Sequence, residues 1–112
     1  MGHVIYNVAL ILEPSVEHEW REWMLAVHIP EVLRVPGFLD ATMYRQEVVG
    51  VPAARPQYVN SYRVQSREAL QAYCDGAEAK RLRAEHEARF GDRVTALRTV
   101  WSVVQTYCGI DK

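Results

Sequence analysis

The stretch Trp20-Arg21-Glu22-Trp23-Met24-Leu25-Ala26-Val27-His28-Ile29-Pro30-Glu31-Val32-Leu33 decides how the chain is read, because a helical pattern rich in large apolar residues there meets a proline. At about 100° per residue, Val16, Trp20, Trp23 and Val27 fall in one narrow stripe, with Met24 on its shoulder. That stripe predicts a buried helix face. Pro30 offers no N–H to the carbonyl of Ala26 and its ring disfavours helical geometry at Ile29, so the helix is expected to bend or stop beside His28. His28 itself falls at the edge of the buried stripe.

Upstream, Val4–Leu12 reads VIYNVALIL, a strand rich in β-branched residues with Tyr6, Val8, Leu10 and Leu12 on one face and Ile5, Asn7, Ala9 and Ile11 on the other. Both faces are largely apolar, so both are expected to be covered. Ser15, after Pro14, is placed to cap a helix running from about residue 16 to residue 33, and Glu17 and Glu19 suit its positive end.

Downstream, Val35-Pro36-Gly37-Phe38 predicts a type II turn into a second strand over residues 39–49, whose greasier face is Leu39, Ala41 and Met43. The proline-rich segment 50–56 is a hairpin loop, and a third strand follows with Tyr58, Asn60, Tyr62 and Val64 on one face. Ser66 is placed to cap a second helix, weakened at Asp75-Gly76 and ended by Gly91, with Leu70, Tyr73, Leu82, His86 and Phe90 along its apolar side. Residues 94–107 read as a long last strand in which Leu97, Thr99 and Trp101 alternate with Arg98, Val100 and Ser102.

The order βαββαβ predicts a single ferredoxin-like α+β domain over residues 1–112: a four-stranded antiparallel sheet with two helices on one face. Ile5, Ala9, Ile11, Val59, Val100, Val104 and Arg98 are then expected on the other face. A face so apolar predicts a homodimer through the sheet, closing into a dimeric α+β barrel.

The composition, 49% hydrophobic in 112 residues, is enough for one folded core. With 13 basic residues against 14 acidic ones and no basic run, nucleic acid loses its electrostatic basis as a partner. No stretch approaches the roughly 20 apolar residues of a membrane span, and the N-terminus does not read as a signal peptide, so a cytoplasmic protein is expected. Cys74 and Cys108 form no Cys-x-x-Cys pair and are expected as free thiols, and no His/Cys cluster has zinc spacing. No metal and no cofactor is expected.

The strings Ile5-Tyr6-Asn7-Val8, Glu19-Trp20, Trp23-Met24, Val27-His28-Ile29-Pro30-Glu31-Val32-Leu33, Ser66-Arg67-Glu68, Phe90-Gly91-Asp92 and Arg98-Thr99 resemble a bacterial family known as a small domain of unknown function, over nearly the whole chain. More loosely, the element order resembles the dimeric α+β barrel superfamily. That resemblance implies the sheet-to-sheet dimer and a range of activities: polyketide cyclases, cofactor-free oxygenases, haem-degrading enzymes, a sugar mutarotase and ligand-sensing modules. The chain departs from the expected hairpin by its proline-rich loop over residues 51–56.

Two roles fit His28. As a general acid or base, or a ligand anchor, it would titrate near working pH, with the negative helix end favouring its charged form. As a cap, its ring would bond the free carbonyls at the bend, the more ordinary task. His86 and His18 read as structural. Trp20 and Trp23 offer flat surfaces for a ligand, but tryptophans on a helix stripe read more readily as core. A pocket between the first helix and the sheet would gather Tyr6, Tyr62 and Asn60 near His28, and Arg98 would suit an anionic ligand or a salt bridge across the dimer.

The expected function is therefore binding or cofactor-independent conversion of a small organic molecule, with His28 and Tyr62 as the catalytic pair and Trp23, Tyr6, Asn60 and Arg98 contacting the ligand. Two alternatives stand beside it. One is a haem-binding or haem-degrading protein with His28 on the iron. The other is a non-catalytic dimeric interaction or ligand-sensing module.

Overall fold

The computed structural model describes residues 2–52 and 54–110. Strand β1 (Val4–Leu12) is followed by a 3-10 turn at Pro14–Val16, helix α1 (Glu17–Trp23), a π-helical turn at Met24–His28 and helix α2 (Ile29–Val32). Strands β2 (Phe38–Gln46) and β3 (Gln57–Val64) form the hairpin; α3 (Arg67–Asp75) and α4 (Ala77–Phe90) follow, and β4 (Val94–Ser102) completes the sheet. The strands lie in the order β2-β3-β1-β4, every neighbouring pair antiparallel. This is the ferredoxin-like fold, with βαββαβ order once each broken helix is taken as one.

Local chemistry accounts for most of the boundaries. The Ser66 hydroxyl accepts from the Ala69 N–H at 3.1 Å and so caps α3, while Gly76, in extended backbone, separates α3 from α4. Gly91, at φ 56, ends α4 in a conformation that suits glycine. Gly37, at φ 89, sits so close to Ala69 that an added Cβ would come within 2.7 Å of the Ala69 methyl.

Four expectations are corrected. Ser15 caps nothing: Pro14–Val16 forms a 3-10 turn, and no side chain bonds the start of α1. Leu39 is 43% exposed, because a register shift between Phe38 and Asp40 turns Phe38, not Leu39, onto the buried face with Ala41. The last strand stops at Ser102, and residues 103–110 follow it exposed and without regular structure.

The fourth correction moves a whole strand face. Val8 pairs with Arg98 and Tyr6 with Val100, so Arg98 and Val100 lie on the helix side of the sheet. Paired residues of an antiparallel ladder share a face. The outer face instead carries Leu97, Thr99 and Trp101 beside Ile5, Asn7 and Ala9.

Beneath the helices the core is divided. One cluster gathers Tyr6, Phe38, Tyr62, Leu70, Tyr73 and Leu82; the other gathers Leu10, Trp20, Trp23, Met24, Tyr58 and Phe90. Val8 and Ile29 pack against both. A network outside the second cluster fastens α1 to the sheet: Arg21 donates to the Tyr58 hydroxyl at 2.9 Å, which donates to Glu17 at 2.6 Å, and Arg45 donates to the same carboxylate at 3.1 Å. No helix among the described residues is long and apolar enough to cross a membrane. Cys74 and Cys108 are free thiols.

Candidate functional site

Between the two core clusters lies a cavity whose walls come from β1, β3, β4, the π turn, α2, α3 and α4. Its empty volume is about 480 Å³, part of it open to solvent. Its size admits a few waters or a compact organic molecule, not a large one.

The π turn puts His28 there. In a regular α-helix the Trp20–Trp23 stripe continues through Val27, yet Val27 is 39% exposed, and the inward positions run Trp20, Trp23, Met24, His28, Val32. The Ile29 N–H bonds the carbonyl of Met24, five residues back. One extra residue per turn shifts every later side chain, and a site at a π turn is a frequent functional feature. Pro30 makes the shift cheap, since it has no N–H to give to an α bond. The helix therefore widens and continues where a bend or stop was expected.

His28 is half-buried, its ring 5.1 Å from the Trp23 ring at 35° and 6.2 Å from that of His86. Its Nδ1 is buried without a hydrogen-bond partner, so no bond from that atom caps the helix. Burial, followed by repulsion from His86 and Arg98, pushes its pKa down to about 4 against the pull of Glu31. The expectation that the helix end would favour the charged ring is thus reversed: at neutral pH His28 is an uncharged imidazole.

His86, from α4, is held neutral in the same way, its pKa pushed to about 4 by burial and by Arg98. The Trp20 indole N–H donates to its Nε2 at 3.1 Å. Indole is a donor only, so that nitrogen must stay unprotonated.

Asn60, 1% exposed on β3, lines the floor. Its Nδ2 donates to the Met24 sulfur at 3.5 Å and its Oδ1 has no partner. The two amide atoms can be exchanged without changing this conclusion, because thioether sulfur is a weak acceptor and no donor at all. Beside it, burial, with Tyr73 and Tyr6 adding, raises the Tyr62 pKa well above the ordinary phenol range, and that of Tyr73 is pushed up to about 12, mainly by burial. Both phenols stay protonated and available as donors.

Of the residues singled out in the sequence, His28, Tyr62, Tyr6, Asn60 and Arg98 all line this cavity. Trp23 does not. It packs behind His28, against Phe90 at 5.6 Å and beneath the guanidinium of Arg89 at 5.3 Å. Three polar lining residues were not singled out as site residues in the sequence: His86, Arg83 and Tyr73. The spacing Leu82-His86-Phe90 had placed the first of them on an apolar stripe, where a polar ring needs a partner. Among the described residues no group of three or more His, Cys, Asp or Glu could hold a metal ion.

A ferredoxin-like sheet with an interior cavity of polar and aromatic lining thus defines the class of this protein. The chain belongs to the family described as Domain of unknown function (DUF4286), which it matches over residues 3–104. No curated protein matches it in sequence. Solved structures similar to it include a Bacillus cereus protein assigned as an antibiotic biosynthesis monooxygenase, 15% identical, with a TM-score of 0.67 over 97% of this chain and 100% of that one. SnoaB, a cofactor-independent oxygenase from Streptomyces nogalater, is 19% identical, with a TM-score of 0.62 over 95% and 97% of the two chains. A dimeric ferredoxin-like protein from an uncultured marine organism is 13% identical, with a TM-score of 0.66 over 96% and 100%. At such identities the likeness is one of fold.

Proposed function

We propose that this protein binds a small organic molecule in the cavity between helices and sheet and acts on it without a cofactor. The observation that carries the reading is the fully buried Asn60 amide whose oxygen has no partner, on a residue that lines the same cavity as His28, whose Nδ1 is also buried and unpartnered. Folding leaves such atoms unpaired at a cost of about 1–3 kcal/mol each, which a ligand in the cavity would offset.

The chemistry follows from the protonation states. His28 is the base, or the imidazole that orients the ligand; it is not a general acid at neutral pH, since its charged form is populated only near pH 4. Tyr62 supplies a hydrogen bond to an oxygen of the ligand. In a proton abstraction the negative charge left on the ligand would stabilise the new imidazolium, which the empty cavity does not. One structural neighbour is a cofactor-independent oxygenase, which supports a reading without a cofactor on this fold. A binding or sensing module uses the same contacts without turnover.

Haem is the weaker reading, because the lining leaves too little space for a porphyrin beside His28. A Soret band on adding haemin, lost in His28→Ala, would reverse that preference. Screening small aromatic and aliphatic compounds by two-dimensional NMR tests the main reading. Hits are expected to move resonances of His28, Asn60 and Tyr62, and mass spectrometry of the bound compound then separates conversion from binding. Hits confined to other surfaces would refute it.

The assembly belongs to the same proposal. The outer sheet face exposes Leu97 at 66% and Trp101 at 61%, next to Tyr44, Ile11 and Val59. We infer a homodimer through that face, in line with the dimeric neighbour.

A further inference from the structure

One side of the cavity is positively charged and has no negative group to match it. Arg83 from α4 and Arg98 from β4 both line it, together with His86, and no carboxylate lines it. Arg45, Arg63 and Arg81 each hold a carboxylate, whereas neither Arg83 nor Arg98 forms an ion pair among the described residues. The Nε of Arg83 is buried and has no partner.

The position of these arginines is as telling as their charge. A surface recess shares Arg83, His86, Ala96 and Arg98 with the cavity and adds Glu87 and Val94. The two guanidinium groups therefore stand where the interior meets solvent, between α4 and the edge strand β4. Deeper in, the wall is aliphatic and aromatic: Val8, Leu10, Val32, Leu82 and Tyr62. A guanidinium presents a planar fork of donors that fits a carboxylate, and an unmatched buried donor costs free energy.

We propose that the ligand is a small organic acid, which enters between α4 and β4, leaves its carboxylate on Arg98 and Arg83, and points an apolar body toward Tyr62 and Asn60. This rests on the reading of the cavity as a ligand site and adds the ligand's charge and direction. An inward-pointing charge on an edge strand also discourages strand pairing, and Arg98 alone would fit that role. Arg83 would not, since it stands on a helix. Around the proposed carboxylate the titratable groups are His28, His86, Tyr6, Tyr62 and Tyr73, with Glu31 and Glu87 farther out. A carboxylate there would offset the repulsion by Arg98, so binding should raise the pKa of both histidines.

Matched acids and amides test this: benzoate against benzamide, and hexanoate against hexanamide, titrated at pH 7 into the labelled full chain and followed by NMR. The acids are expected to shift cavity resonances with an affinity about tenfold or more above that of the amides. Arg98→Gln should remove most of that advantage by lowering acid affinity far more than amide affinity; its side chain is exposed, so folding is not at risk. Arg83→Gln is the second variant. Amides binding as tightly as acids would overturn the organic-acid proposal while leaving the pocket standing. An acid preference that survives in the double variant would overturn the role of the arginines. Neither series reaching the cavity resonances would overturn both this proposal and the ligand site itself.

Discussion

The neutral histidines make a prediction at the scale of single side chains. A folded-state pKa lowered from 6.5 to about 4 means that the unfolded chain binds the proton first. Stability contributed by the neutral ring is therefore fully present above pH 6.5 and lost as the pH falls from there toward 4. The slope is at most about 1.4 kcal/mol per pH unit per histidine, and smaller for the more open His86. Urea midpoints between pH 7 and pH 4 should fall steeply, and His28→Asn, which cannot titrate, should flatten part of that slope. At pH 7 the same variant should cost about 1 kcal/mol or less, mainly the stacking on Trp23, because no bond from the buried Nδ1 is lost. A loss of several kcal/mol would mean that the ring ties down the helix end after all. His28, Tyr6, Tyr62 and Asn60 could be picked from the sequence because a polar group on an otherwise apolar face needs a reason. Arg83 could not, since a charged helix surface hides which of its members turn inward; His86 stood on the apolar stripe with Leu82 and Phe90 but read as a structural ring.

At the scale of elements, the decisive feature is the π turn. Periodicity counts 3.6 residues per turn and so sends Val27 inward and leaves His28 at the edge; a single widened turn reverses the two. Proline announces trouble in a helix but not which form it takes. Pro30→Ala restores the missing donor, so the segment is expected to relax to an α-helix, turning Val27 in and His28 out, with stability unchanged or raised by about 1 kcal/mol. Loss of the Trp23–His28 ring contact in NOE spectra would mark that change, and an unchanged contact would show that packing rather than Pro30 sets the turn. Strand β4 teaches the complementary lesson. Its alternation was legible, but which of its two faces met the helices was not, because Leu97 and Trp101 are as apolar as Val100. Only pairing with β1 decides it: Arg98 opposite Val8 lies over the cavity. The bulge before Asp40 reversed Leu39 and Phe38 for the same reason, a one-residue slip that exchanges faces.

At the scale of the whole molecule, the element order and alternation were enough for the fold, since a βαββαβ chain with these lengths closes in few ways. The outer face divides into rows across the sheet: Tyr44, Val59, Ala9 and Leu97 in one, and Thr42, Ser61, Asn7 and Thr99 in the next. Asn7 is buried there with its Oδ1 unpartnered, and a second sheet could bring it a donor. Leu97→Lys should therefore give a monomer in sedimentation equilibrium at micromolar concentration. Val100→Lys, on the helix side, should leave the assembly unchanged. The reverse pattern would place the contact elsewhere. Between sheet and helices the division of the core around Asn60 is the feature that sets ligand binding against stability. Asn60→Leu tests that balance most directly: it removes the unpaired amide and extends methyl groups into the cavity. Chemical denaturation of the variant should show a gain of about 1–2 kcal/mol, with binding of cavity ligands abolished. A loss of stability of similar size would mean that the Asn60 amide holds the core together, and the cavity would not be a binding site.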